Sequence, residues 1–183
     1  MQMFHPLVFD NIKVVLEGAV YDRDFDGDIL VTARADLIDT AVYQRLFQID
    51  FRLPEGAAAG KREVTAQFQL RTSLADIAGE LMEQPLTEHI GCTVCIHFYT
   101  YVQDVERDTN EIVRILNEIW GDRPHITQQI SATLDEHRPF RWPPDIYENK
   151  ITLDFHRKID EGNIGDLRDL IDHTVVSLAR LSE

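Results

Sequence analysis

The chain has 183 residues, with 32 Asp or Glu against 18 Lys or Arg, and a formal net charge of −14. This excess of negative charge argues against a protein that grips nucleic acid or an anionic membrane surface, because both need clustered Lys and Arg. No apolar run approaches the roughly 18 residues of a membrane-spanning helix, the N-terminus lacks the pattern of a secretory signal, and two cysteines cannot staple a domain of this size. We therefore expect one cytoplasmic domain over residues 1–183.

The first seventy residues predict an antiparallel meander with one wet face. Alternating apolar residues favour a strand over 12–20, and a second β-rich run follows at 29–35. The Asp-Gly pair at 26–27 between them is typical of a tight hairpin turn. The period-2 pattern of a half-buried strand returns over 43–53 and, after a Gly-rich loop, over 64–70.

The predicted hairpin tip matches the opening of a calcium-binding loop. Residues 22–28 place carboxylates at alternate positions around a glycine, which lets them converge on a hard cation. The twelfth position, where a bidentate Glu closes the shell, is Ala33, and the flanks read as strands; Glu17 or Asp36 would have to complete the shell. Two interpretations stay open, a solvated turn or a Ca²⁺ or Mg²⁺ site made by Asp22, Asp24, Asp26 and Asp28.

Helical periodicity begins after the meander. Ser73 followed by Asp76 predicts an N-cap and its acidic partner at the start of a first helix. Asp108 with Glu111 predicts the start of a second helix, and Gly121 is placed to end it.

The other elements follow from apolar spacing. Residues 90–102 and 151–155 read as strands, and 167–181 as an amphipathic helix. Residues 126–134 fit both periods, and we favour a helix there. Strands followed by mixed helices and strands predict an α+β fold: a mainly antiparallel sheet, with the N-terminal meander plus later strands, and three or four helices packed on one face.

Two cysteines and two histidines lie within the nine residues 89–97, at the start of the predicted strand over 90–102. In a strand, residues three apart point to opposite faces, so Cys92 and Cys95 cannot share a metal ion or act as a dithiol without distortion. Two pairs of residues remain as catalytic candidates. Cys95 and His97 share a face as a nucleophile and a base, and His156 with Asp154 forms an acid–base pair.

Residues 137–147 form the most unusual segment, with three prolines, three aromatic residues and two arginines. Trp, Tyr and Arg are over-represented at binding hot spots, and long ordered loops are often functional. The alternative is structural: Phe140 and Trp142 pin the loop back onto the domain. The candidate binding residues are Arg138, Phe140, Arg141, Trp142 and Tyr147.

Three functional hypotheses follow. We favour a non-enzymatic interaction or assembly module that uses residues 137–147, with a protein partner or a second copy of itself and no nucleic acid or membrane. The alternatives are a divalent-cation module at residues 22–28, with no other cofactor expected, and a small enzyme with a Cys/His or His/Asp site. No Walker loop, Gly-x-Gly-x-x-Gly, Gly-x-Ser-x-Gly or His-Glu-x-x-His occurs, which disfavours the enzyme.

Overall fold

The computed structural model describes residues 7–55, 61–82, 90–137 and 141–183. Within these ranges the chain forms helices and strands in the following order: α1 (Leu7–Phe25), β1 (Leu30–Asp39), β2 (Gln44–Arg52), β3 (Thr65–Thr72), α2 (Leu74–Leu81), β4 (Cys92–Val102), α3 (Val105–Trp120), β5 (His125–Ser131), β6 (Tyr147–Ile159), a 3₁₀ turn (Glu161–Asp166) and α4 (Leu167–Leu181).

The six strands form one antiparallel sheet in the order β1-β2-β3-β4-β6-β5. The helices pack on one face of this sheet, so the predicted α+β class is confirmed. β1, β2 and β3 pair consecutively and form the expected meander. β6 lies between β4 and β5, which leaves β1 and β5 as the two edge strands.

The core lies between the helices and the apolar parity of the strands. Alternate residues of the central strands are fully buried there, and α1 adds a stripe of its own. The largest fully buried side chains include Phe9, Phe47, Phe51, Phe68 and Phe98. None of the described helices combines the length and the apolar composition that a bilayer crossing requires.

The predicted strand over 12–20 is wrong, because these residues belong to α1. Ile12, Leu16 and Val20 are buried, and a spacing of four fits a helix as well as a strand. Val14 distinguishes the two: a strand would bury it with the others, but it is 65% exposed. Phe9, buried three residues before Ile12, completes the helical stripe.

The prediction of a hairpin turn at 26–27 is also wrong, because the element that precedes these residues is the helix α1 and not a strand. Gly27 has φ of +80° and ends α1. Its N–H donates to the Asp24 carbonyl oxygen (3.1 Å), and the Asp28 N–H donates to that of Arg23 (3.0 Å). This is the Schellman pattern, in which a left-handed glycine closes the last carbonyls of a helix. The acidic segment is thus the C-terminal end of α1 and its exit into β1.

The predicted N-cap agrees with the structure at the start of α2 but not at the start of α3. Ser73 and Asp76 form the predicted capping box of α2. The N-cap of α3 is Asp104, not Asp108. Asp108 lies in the first turn, where its carboxylate accepts the N–H groups of Gln103 and Asp104. Gly121 follows the last residue of α3 with φ of +62°, as predicted.

The predicted helix over 126–134 is wrong, because 125–131 is the edge strand β5. Its exposed and partly buried side chains alternate, and Ile126 and Ile130 pack against the core. β5 is also tied to α3, because the Gln128 amide donates to the Thr109 carbonyl oxygen (2.9 Å). The C-terminal amphipathic helix is confirmed as α4.

Candidate functional site on the open face of the sheet

The face of the sheet opposite the helices carries a row of polar side chains. Asp50, Gln67, His97 and Thr152 are direct neighbours across β2, β3, β4 and β6. Residues paired across antiparallel strands lie on the same face, so these four side chains form one continuous row. We call this surface the open face.

Hydrogen bonds join this row to its neighbours. The Gln67 side-chain oxygen accepts from the Tyr99 hydroxyl (3.1 Å) and from the Gln69 amide (2.8 Å). His97 Nδ1 and Thr152 Oγ1 share a hydrogen bond of 2.9 Å. The network holds the polar side chains in fixed positions on a surface that no described helix covers.

Burial within this network shifts the pKa values of two groups. His97 is only 6% exposed, and burial, aided by the positive charges of Lys150 and Arg71, lowers the pKa of His97 to about 4. Burial also raises the pKa of Asp50, against a smaller opposing effect of a hydrogen bond with Gln67. His97 is therefore a neutral imidazole at pH 7, and the surroundings of Asp50 disfavour its charged form.

The two cysteines lie on opposite sides of β4, as the strand pattern predicts. Cys92 is buried with the core, and burial raises the pKa of its thiol to about 12. Cys95 lies on the open face beside His97, and burial together with the Asp154 charge raises the pKa of its thiol. A nucleophilic cysteine needs the opposite shift. Cys95 and His97 therefore share a face, as the catalytic hypothesis requires, but the raised pKa of the Cys95 thiol disfavours a nucleophilic role.

The second catalytic candidate, His156 with Asp154, lies at an irregularity in β6. Thr93 pairs with Lys158 and Cys95 pairs with Asp154, so the single β4 residue between them, Val94, lies opposite three residues of β6, 155–157. His156 has φ of +50°, and its N–H donates to the Asp154 carboxylate (2.8 Å). His156 Nδ1 is 3.5 Å from the same Asp154 oxygen. Sequence reasoning missed a third member, His125, whose ring centroid lies 5.5 Å from that of His156.

The acidic segment at the end of α1 is partly engaged. Asp24 accepts the Val31 N–H (3.1 Å), and Asp28 forms an ion pair with Arg23 (3.1 Å). In the part of the chain that the structure describes, no group of three or more His, Cys, Asp or Glu side chains is arranged to hold a metal ion. Cation binding by Asp22, Asp24, Asp26 and Asp28 stays a prediction.

The Pro-rich loop precedes β6 directly. Arg138 and Phe140, two of the predicted binding residues, lie outside the described residues. Trp142 is 73% exposed, and Ile146 is also exposed. Tyr147 is the first residue of β6 and packs partly against the core. For Trp142, this exposure does not fit a side chain that pins the loop onto the domain.

Among the described residues, cavities lie on both sides of the sheet, and two of them are notable. The smaller, of about 390 Å³, lies at the end of the open face that adjoins the loop, and its lining includes Tyr99, Tyr101, Glu148 and Lys150. The larger, of about 710 Å³, lies on the helix side between α3, α4 and β6. The larger one is walled by Trp120, whose indole N–H donates to Ser177 Oγ (2.9 Å).

The chain matches no protein-family model, no curated protein and no solved structure.

Proposed function

We propose that the protein is a non-enzymatic assembly module, and that copies of it associate through the edge of β5 and the adjoining loop 137–147. The observation that carries this proposal is the difference between the two edge strands. An edge strand presents unpaired backbone N–H and C=O groups, and proteins usually protect such edges with charged residues, prolines or bulges.

β1 has this protection. It contains Arg34, Asp36 and Asp39, and its pairing with β2 is interrupted between Val31 and Ala33. Charges and an irregular register both hinder the addition of a further strand.

β5 lacks it. Its seven residues, His125–Ser131, include no Asp, Glu, Lys, Arg or Pro, although 27% of the whole chain is charged. Its register with β6 is regular from end to end. Among the described residues no strand pairs with its outer side. A second copy of β5 would supply the missing hydrogen bonds across a two-fold axis, with no charges to desolvate.

The loop between β5 and β6 supplies apolar area beside this edge. Leu134, Trp142 and Ile146 are all more than half exposed. Trp is highly buried on average and is enriched at interface hot spots. Edge hydrogen bonds give little net stability in water, so burial of these side chains is the main source of affinity in the proposed contact.

Sedimentation of the full chain over a range of concentrations tests the proposal. We expect a reversible dimer. Thr127→Lys places a charge on β5 and should weaken association at least tenfold, and Trp142→Ala should weaken it by a similar factor. The matched control is Ala33→Lys, which places the same charge at an exposed position of β1 and should leave association unchanged.

Two results would contradict the proposal. One is a wild-type chain that stays monomeric at the highest concentration it reaches. The other is a dimer that Ala33→Lys weakens as much as Thr127→Lys does, because association would then follow net charge and not the β5 edge.

A further inference from the structure

We propose that His125, Asp154 and His156 form a binding site for a divalent transition-metal ion, with Zn²⁺ as the ion it fits best. The three residues lie at one end of the open face, where β5 begins against β6. The site belongs to a single chain and does not depend on association.

Strand pairing brings the three side chains together. His125 is the direct partner of Asp154 across the β5–β6 pair, so both project from the same face. His156 follows two residues later in β6, and its ring lies against that of His125. Both contacts of His125 arise from the fold, because 29 residues or more separate it from Asp154 and His156 in sequence.

The spacings agree with shared coordination. With Zn–N bonds of about 2.0–2.1 Å, two donor atoms on one tetrahedral ion are about 3.4 Å apart, and two bound imidazoles have centroids roughly 5 Å apart. His156 Nδ1 is 3.5 Å from Asp154 Oδ1. The ring centroids of His125 and His156 are 5.5 Å apart.

The backbone at His156 supports a specific placement of its ring. A φ of +50° is unfavourable for most residues with a side chain, and such strained positions cluster at functional sites. The Asp154 carboxylate, which accepts the His156 N–H, holds this conformation. The same oxygen therefore fixes the backbone and faces the imidazole.

One movement completes the site. Since no three ligand side chains converge in the described structure, the His125 ring must rotate toward the pair formed by Asp154 and His156. His125 and His156 are both exposed, so their rings can turn without disturbing the core. The chain's charge of −14 also raises the local concentration of divalent cations.

The donor set selects the ion. Two imidazole nitrogens and one carboxylate suit Zn²⁺ and its neighbours, whereas Ca²⁺ and Mg²⁺ prefer oxygen ligands. Three protein ligands leave one position of a tetrahedral ion for water or for another donor. The proposal is thus a site with an open coordination position on the face of the sheet.

Isothermal titration of the full chain with Zn²⁺ tests this inference. We expect one ion per chain, and we expect His125→Thr, Asp154→Asn and His156→Asn each to weaken binding at least tenfold. Thr suits a strand and Asn tolerates positive φ, so these variants should keep the fold. Thermal melting without metal checks that they do. The visible absorption of bound Co²⁺ gives a second readout, because it changes when an imidazole ligand is lost.

His137→Ala is the matched control. His137 Nε2 lies 3.3 Å from Glu136 Oε1, which makes it another exposed His–carboxylate pair. It should leave Zn²⁺ binding unchanged. The inference is overturned if this variant weakens binding as much as His156→Asn, if His125→Thr has no effect, or if Mg²⁺ binds at the same residues as tightly as Zn²⁺.

Discussion

The two faces of the sheet use the same strands in opposite ways. In β4, Val94, Ile96 and Phe98 are buried beneath the helices, whereas the residues between them, Cys95 and His97, belong to the open face. One parity of each strand thus supplies the core, and the other parity is available for polar networks and ligands. The comparison teaches that stability and function can be assigned to different residues of a single strand.

The largest expected effect is on the helix side. Phe98→Ala removes a fully buried ring and should lower the free energy of unfolding by about 3–5 kcal/mol. Tyr101→Ala, three residues away on the open face and half exposed, should change it by less than about 1 kcal/mol. Urea unfolding measures both. Equal losses would mean that the open face is covered in solution.

The next effect is a pH dependence that belongs to the open face. His97 has a pKa of about 4 in the folded chain against an ordinary value of 6.5, so the unfolded chain takes up the proton first as the pH falls. The protein should therefore lose stability between pH 6.5 and 4, by no more than about 3 kcal/mol. His97→Gln should flatten the dependence in this window, as followed by urea unfolding at several pH values. An unchanged slope in the variant would assign the dependence to other groups.

Three carboxylates affect the stability of the protein at a lower pH than His97 does. Asp36, Asp76 and Asp108 have pKa values held below the ordinary 3.8, although burial alone would raise them. Ion pairs and hydrogen bonds lower the pKa values of Asp36 and Asp76, and backbone N–H groups with Arg107 do so for Asp108. Their contribution to stability is lost only below that value, so it is separable from the contribution of His97.

A smaller effect is expected from the hydrogen bond between Tyr99 and Gln67. Tyr99→Phe removes the hydroxyl donor and keeps the ring, so we expect a loss of about 0.5–1.5 kcal/mol in the free energy of unfolding. Among the described residues, the Tyr101 hydroxyl on the same face makes no hydrogen bond, so Tyr101→Phe serves as the control. If the two variants have the same effect, the network around Gln67 adds nothing to stability.

The smallest expected effect is a gain in the free energy of unfolding, whereas Phe98→Ala and Tyr99→Phe lower it. Because burial raises the pKa of Asp50, its charged form is disfavoured in the folded chain at pH 7. Asp50→Asn should therefore be slightly more stable than the wild type at pH 7, and this advantage should shrink as the pH falls toward 4. Urea unfolding at the two pH values measures the difference. A variant less stable than the wild type at pH 7 would show that the Asp50 charge has a stabilising partner.

The sequence pattern predicts the central strands because each shows a long run of clean alternation. It fails for residues 12–20 and 126–134, where apolar residues four apart satisfy a strand and a helix equally. In the first case the exposed residue, Val14, is itself apolar and suggests alternation. In the second, Gln128 faces the helices although it is polar, because its amide bonds to the Thr109 carbonyl.

The site formed by His125, Asp154 and His156 could be predicted only in part from the sequence, for a related reason. Asp154 and His156 share a strand, so the sequence alone brings them together. His125 joins them only through the pairing of β5 with β6, and the pattern there favoured a helix. The low pKa of His97 was equally hidden, because it depends on neighbours from β3 and β6. Contacts between distant segments cannot be read from local periodicity.

The strand order has a consequence for synthesis on the ribosome. β6 lies between β4 and β5, so β4 and β5 are both made before the strand that joins them. At a translation rate of about 5–20 residues per second, β4 waits several seconds with one side unpaired. During that interval the nascent chain exposes unpaired backbone groups like those on the outer side of β5 among the described residues of a single chain, and a chaperone that shields extended segments would act there.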